Sequence, residues 1–196
     1  MWGPGRMVRQ MAVALGPLQS LSLAELRCVA SGYASTQQYS VRTTGTADGG
    51  LRWELDLVHV SPPYTKTFRH SEADVALLGE IVARGCSTGA WAGERLVAIA
   101  IAEPMAWNRN LVLWEMHVAE GYRRQGLGRA LLDSVLEVAR GCGVRSVTAE
   151  TQNTNVPAIR FYRASGFTIQ GIDLSLYAPD DAGKDREVAL FMRRFL

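Results

Sequence analysis

The chain has 196 residues, 47% of them hydrophobic and 20% charged, a composition that fits one globular domain with a substantial core and argues against disorder. A net charge of +2 argues against the strongly basic face of a nucleic-acid binder. Cys28, Cys86 and Cys142 are odd in number, far apart and without ligand spacing. They suggest neither a disulfide framework nor a metal site, and free, buried thiols in a reducing compartment are expected. Near the N-terminus, Gly16-Pro17 cuts the apolar run 11–15 too short for a signal peptide. No stretch of about 18 apolar residues exists to span a membrane, so the default location is cytoplasmic.

Residues 1–50 carry the weakest signals and read as a segment of the same domain as 51–196. A helix is expected over 22–31, opened by the capping box Ser22-Leu23-Ala24-Glu25. Strands are expected over 38–44 and 51–60 across the polar turn 45–50, the second alternating Trp53, Leu55 and Leu57 against Glu54 and Asp56 and ending at Pro62-Pro63. A second capping box, Ser71-Glu72-Ala73-Asp74, opens a helix over 71–84 with Val75, Leu78 and Val82 at helical spacing.

The hairpin 89–92 and 95–102 turns at Gly93-Glu94. Its second strand places Val97, Ile99 and Ile101 on one face and Ala98, Ala100 and Ala102 on the other, where a helix can pack closely. After a strand over 111–118, Leu127, Leu131, Val135 and Ala139 define a helix over 126–140, ended by Gly141-Cys142-Gly143. A short strand, 146–151, precedes a helix with Asn155 as N-cap, Pro157 in its first turn and Gly166 at its end. Strands over 167–169 and 188–196 complete a mixed α/β sheet.

The junction after strand 111–118 reads Arg123-x-x-Gly126-x-Gly128. Glycines at a helix start let backbone approach a ligand closely, and the free N–H groups and helix dipole favour an anion such as a pyrophosphate. The spacing is neither that of a dinucleotide fingerprint nor of a Walker loop. Glu115 is the other feature that calls for a reason, because an unpaired charge among Leu113, Trp114, Met116 and Val118 is costly. Partial burial would raise its pKa toward that of a useful base.

Two stretches, Val118-Ala119-Glu120-Gly121-Tyr122-Arg123-Arg124-Gln125-Gly126-Leu127-Gly128 and Asn155-x-x-Ala158-x-x-Phe161-Tyr162-x-x-x-Gly166-Phe167, together resemble the GCN5-related N-acetyltransferase (GNAT) superfamily. The segments 150–158 and 171–177, and more faintly 53–55 and 60–66, look closest to its streptothricin acetyltransferases. The resemblance implies a single α/β domain whose mixed, mostly antiparallel sheet is flanked by helices and splays between strands 111–118 and 146–151. It implies acetyl-coenzyme A as co-substrate. Amides from Gln125 through Gly126, Leu127 and Gly128 to Arg129, with Arg123 and Arg124, would bind the pyrophosphate. His117 and Val118 would pair with the pantetheine arm, Asn155 and Ala158 would lie along it, and Tyr162 would protonate the leaving thiolate.

Each residue also has a plainer reading. Asn155 serves as an N-cap whatever the function, Tyr162 as a core aromatic, Glu115 as a salt-bridged or edge residue, and His117 as a hydrogen-bonded structural residue or a relay from Glu115. His59 and His70 draw no role. Asp180, Asp181 and Asp185 either attract a cation or form a solvated loop. The expected acceptor is a small cationic amine, such as a streptothricin-like antibiotic; the alternatives are a protein N-terminus or lysine, or a non-catalytic coenzyme A-binding module. A monomer or homodimer, with no metal, membrane or nucleic-acid partner, completes the expectation.

Overall fold

The computed structural model describes residues 12–45, 49–177 and 187–196. Strands β2 (Gly32–Thr44) and β3 (Arg52–Thr67) form a separate two-stranded ribbon, and a seven-stranded sheet has the order β1-β4-β5-β6-β7-β9-β8. Its strands are β1 (Val13–Pro17), β4 (Thr88–Ala92), β5 (Arg95–Met105), β6 (Asn110–Val118), β7 (Ser146–Gln152), β8 (Thr168–Asp173) and β9 (Ala189–Phe195). Among the described residues only the β6–β7 pair is parallel. The helices are α1 (Leu23–Val29), α2 (Glu72–Val82), α3 (Leu127–Gly141) and α4 (Val156–Ala164).

Both capping boxes form. The Ser22 and Ser71 hydroxyls accept from the backbone N–H of Glu25 and Asp74, whose carboxylates accept in return from the cap N–H groups. The alanine face of β5 packs against Leu131, Leu132 and Val135 of α3, as its small side chains allow. Ile99 and Ile101 pack on the other side against Leu26 and Val29 of α1 and Leu78, Ile81 and Val82 of α2. Val97 departs from the expected face: Ala90 pairs with Ala98 but Trp91 with Leu96, so Val97 is the extra residue of a bulge and joins the α3 side.

The ribbon strands are longer than expected, β2 running over Gly32–Thr44 and β3 over Arg52–Thr67. Pro62-Pro63 does not end β3. Gln37 pairs with His59 and Ser35 with Tyr64, so the prolines lie in a bulge of four residues opposite Thr36, where no ladder N–H is required of them. The ribbon docks on the sheet through Asn153, whose backbone and side-chain amides bond both Tyr39 and Val188. The edge strand β1, which pairs with β4, has no counterpart in the sequence reading beyond a short apolar run. Residues 1–11, the centre of the 45–50 turn and Asp180, Asp181 and Asp185 lie outside the described residues.

The sheet splays at one place. At its closed end, Ser146 and Thr148 donate to the buried Asn110 Oδ1 at 2.9 and 3.0 Å. Pairing of β6 with β7 stops at Leu113 and Ala149. Trp114 is then the extra residue of a bulge against β5, because Ile101 pairs with Glu115 and Ala102 with Leu113. The bulge bends β6 away from β7 and opens a cleft between 114–118 and 150–152.

Candidate active site

Three adjoining cavities run along the opened edge of β6. The first is lined by Met116, Val118, Arg124, Gly128, Phe161 and Tyr162, among others. The central one holds Glu115, His117, Glu150, Asn155 and Tyr162. The third lies under α2, lined by Leu77, Leu78, Glu80, Trp114 and Glu115. His70 lines the second and third cavities, its ring Nε2 lying 3.2 Å from the Ala30 carbonyl.

Strand pleating fixes which groups β6 presents. The Ala119 N–H donates to the Val97 carbonyl at 2.9 Å. By antiparallel alternation, the backbone of Glu115 and His117 therefore faces β5, and that of Met116 and Val118 faces the cleft. The His117 side chain shares a face with Glu115, and its Nε2 lies 2.5 Å from Glu115 Oε2. Their side chains are 16% and 30% exposed, respectively, so the pair is shielded yet reachable.

The turn into α3 supplies the anion site. Gly126 is its N-cap at φ 82 with no side-chain cap, and the first helical bond runs from Ala130 N–H to Gly126 carbonyl. The N–H groups of Leu127, Gly128 and Arg129 are thus left without intrahelical partners, and 15 residues of helix dipole stand behind them. Arg124 also has a left-handed φ of 59, uncommon for a residue with a side chain.

The three arginines differ. Arg123 is engaged in the fold, donating through Nε to the Val118 carbonyl at 2.9 Å and through a terminal nitrogen to Gly32. Arg129 pairs with Asp133 at 3.0 Å. Arg124 is exposed and makes no hydrogen bond or ion pair among the described residues. Gln125 Nε2 donates to the Gly121 carbonyl at 3.0 Å.

Asn155 caps α4, its Oδ1 accepting from Ala158 N–H at 3.2 Å. The cap uses only the oxygen, so the amide nitrogen remains for the cavities that Asn155 lines. Tyr162 is 7% exposed and packs against Phe161 and Phe167. Its hydroxyl makes no hydrogen bond among the described residues, and the residue lines two of the cavities. Burial, then the negative charge of Glu115 and Glu150, holds that hydroxyl neutral well above the usual tyrosine range.

Sequence reasoning missed a polar network beyond β7. Glu150, whose pKa is raised by burial, accepts from the Tyr177 hydroxyl at 2.6 Å, and Gln152 donates to Tyr177 at 2.7 Å. Beside it, Lys66 is ion-paired with Glu187, which also accepts from Tyr64 at 2.8 Å and Thr154 at 3.2 Å. Tyr33 bonds Thr154 at 2.7 Å. Residues 64, 66, 150, 152 and 177 lie within segments of the family resemblance, but nothing in their spacing shows that they meet. The cysteines give a further correction. Cys28 and Cys142 are exposed rather than buried, and Cys86 lies only 3.8 Å from Cys142, although 56 positions separate them in sequence. No group of three or more potential metal ligands occurs among the described residues, and no described helix is long and apolar enough to cross a membrane.

The uncapped α3 turn, the open β6 edge and the unpartnered Tyr162 hydroxyl fit an acyl-coenzyme A laid along the first cavity. Comparisons with known proteins agree. Residues 56–167 match the acetyltransferase (GNAT) family profile. Streptothricin acetyltransferase of Streptomyces lavendulae is 31% identical over 163 residues, 82% of each chain. The crystal structure of a nourseothricin acetyltransferase superposes with a TM-score of 0.71 at 28% identity, covering 94% of this chain and 98% of the other. A Bacillus anthracis structure described as a streptothricin acetyltransferase, in complex with acetyl coenzyme A, shares the fold with a TM-score of 0.69 at 19% identity, covering 96% and 99%. The chain therefore belongs to the acetyltransferase (GNAT) family and is an acetyl-coenzyme A-dependent N-acetyltransferase.

Proposed function

We propose that the protein acetylates an amine of a small cationic antibiotic of the streptothricin class by direct transfer. The observation that carries this reading is the placement of Glu115 and Tyr162 on one cavity, between the open β6 edge and the carboxylate of Glu150, which is backed by Tyr177. Acetyl-coenzyme A, when bound, supplies an activated acetyl thioester. The α3 turn and Arg124 hold its pyrophosphate, and the cleft-facing backbone of Met116 and Val118 pairs with its pantetheine arm. The same N–H groups polarise the thioester carbonyl.

An aliphatic ammonium, with a pKa of about 10, must lose a proton before it attacks. Glu115 accepts that proton, and His117 at 2.5 Å can share or relay it. Tyr162 donates its proton to the departing sulfur. None of the cysteines lines the three cavities, so no acyl-cysteine step is required.

A protein acceptor needs an open groove across the sheet. Here the β2–β3 ribbon is bonded to the β7–α4 junction and to Glu187 through Tyr39, Tyr64 and Lys66, which supports a small molecule instead. The test is an acetyl-coenzyme A turnover screen against streptothricin-class antibiotics, simple amines and peptides with free N-termini. Highest kcat/KM is expected for the antibiotics; a peptide turned over faster would overturn the acceptor assignment.

A further inference from the structure

Glu150 has no part in the steps above, yet its position asks for one. It is the first β7 residue beyond the last β6–β7 pair and lies on the same cavity as Glu115 and Tyr162. Its Oε1 is occupied by the Tyr177 hydroxyl at 2.6 Å, and its Oε2 has no hydrogen bond or ion pair among the described residues. The nearby cation, Lys66, is engaged by Glu187 and lies 5.0 Å from the centroid of the Tyr177 ring. A half-buried carboxylate with one oxygen open to the cavity is placed to receive a cation there.

We propose that Glu150 is an acceptor-recognition residue, its open oxygen receiving a second ammonium group of an acceptor whose reacting amine lies at Glu115. The preferred acceptors are then diamines or polyamines rather than monoamines. Tyr177, fixed by Gln152, is the positioning residue that aims the carboxylate. The titratable groups around Glu150 are Glu115 and His117 from β6, Tyr162 from α4, Lys66 from β3, His70 before α2, Tyr177 after β8 and Glu187 before β9. Burial raises the Glu150 pKa, the Tyr177 bond and Lys66 oppose that rise, and Glu187 and Glu115 add to it. An incoming cation relieves the remaining cost. The proposal rests on the reading of Glu115 as the site of the reacting amine.

The test is calorimetric titration of linear aliphatic diamines of increasing length, and their matched monoamines, into the protein saturated with coenzyme A. At least one diamine is expected to bind about tenfold or more tightly than its monoamine, as a shielded ion pair allows. E150Q should erase that gap while leaving coenzyme A affinity within about twofold, which also reports an intact fold. In Y177F the gap should narrow, and the loss of diamine binding on acidification should begin at higher pH. The lost hydroxyl had favoured the ionised carboxylate. A role in packing alone would not move that midpoint. Equal affinities in the unmodified protein, undetectable diamine binding, or a gap retained in E150Q would each overturn the proposal. If instead the transfer reading fails, no acceptor is acetylated while the titration still shows the diamine preference.

Discussion

Along the wall read as the coenzyme A side, the groups offered to a ligand are mostly backbone: the uncapped amides after Gly126 and the cleft-facing Met116 and Val118. On the opposite side the carboxylate of Glu150 lines the cavity, backed by side chains from three further segments, Lys66, Tyr177 and Glu187. A backbone site is specified by a short contiguous motif, because it needs only a helix start, a left-handed glycine and a strand that loses its neighbour. A side-chain site depends on segments far apart in sequence meeting at the right height. It can change its ligand without changing the fold, so one wall is expected to be common to acyl transfer and the other to set the acceptor.

The largest expected effect lies where the two walls meet. Glu115→Gln keeps the volume and removes the proton acceptor, so turnover at neutral pH should fall by about 10²-fold or more, with coenzyme A affinity retained. The defect should shrink at high pH, where more of the amine is already neutral. Full activity at pH 7 would make the Glu115–His117 pair structural. A smaller loss, about tenfold, is expected for Tyr162→Phe. A thiol with a pKa near about 8.5 leaves tolerably as the thiolate, so protonating it contributes less than deprotonating the amine. Because the leaving group never changes, the loss should be the same for every acceptor. A loss confined to one acceptor would move Tyr162 to the other wall.

The backbone wall can be tested by comparing its two glycines. Gly126 holds φ 82, so valine there is strained although nothing lies within 4 Å of its added Cβ. Gly126→Val should weaken coenzyme A several-fold to about tenfold, the equivalent of about 1 kcal/mol of left-handed strain. Gly128→Ala puts a Cβ in ordinary contact, 3.6 Å from Phe161, and should leave stability nearly unchanged. Calorimetry with coenzyme A separates the two. Unchanged affinity in a folded Gly126→Val protein would sink the placement of the pyrophosphate.

The same division explains what the sequence revealed. The α3 register of Leu127, Leu131, Val135 and Ala139, the N-caps Ser22, Ser71 and Asn155, and a splay between strands 111–118 and 146–151 were legible because each depends on neighbours a few residues apart or on a family motif. The bulges at Val97 and Trp114 were not legible, since an extra residue in a strand leaves alternation looking normal until its partner strand is known. Pro62-Pro63 misled for the converse reason: proline ends a paired strand, but not one that bulges around it. The Glu150–Tyr177 and Lys66–Glu187 contacts join residues 27 and 121 positions apart. Composition and periodicity carry no record of such pairs.

The smallest effect expected concerns a local signal, the capping box of α2. Ser71 and Asp74 exchange hydrogen bonds at the start of α2, and these bonds hold the Asp74 carboxyl below its ordinary range. Ser71→Ala removes the cap oxygen and should cost about 1 kcal/mol, lowering Tm by about 2–4 °C in a domain of this size. The sign of its pH dependence follows from the lowered folded pKa. The Asp74 contribution is present above the unfolded value of 3.8 and is lost as pH falls through the lower folded value, so the stability gap between the two proteins should narrow in acid. Neither kcat nor the affinity for coenzyme A should change, because Ser71 lines none of the three cavities, and Asp74 reaches only the one under α2. A loss of activity matching the loss of Tm would show that the start of α2, next to His70, is coupled to the acceptor wall.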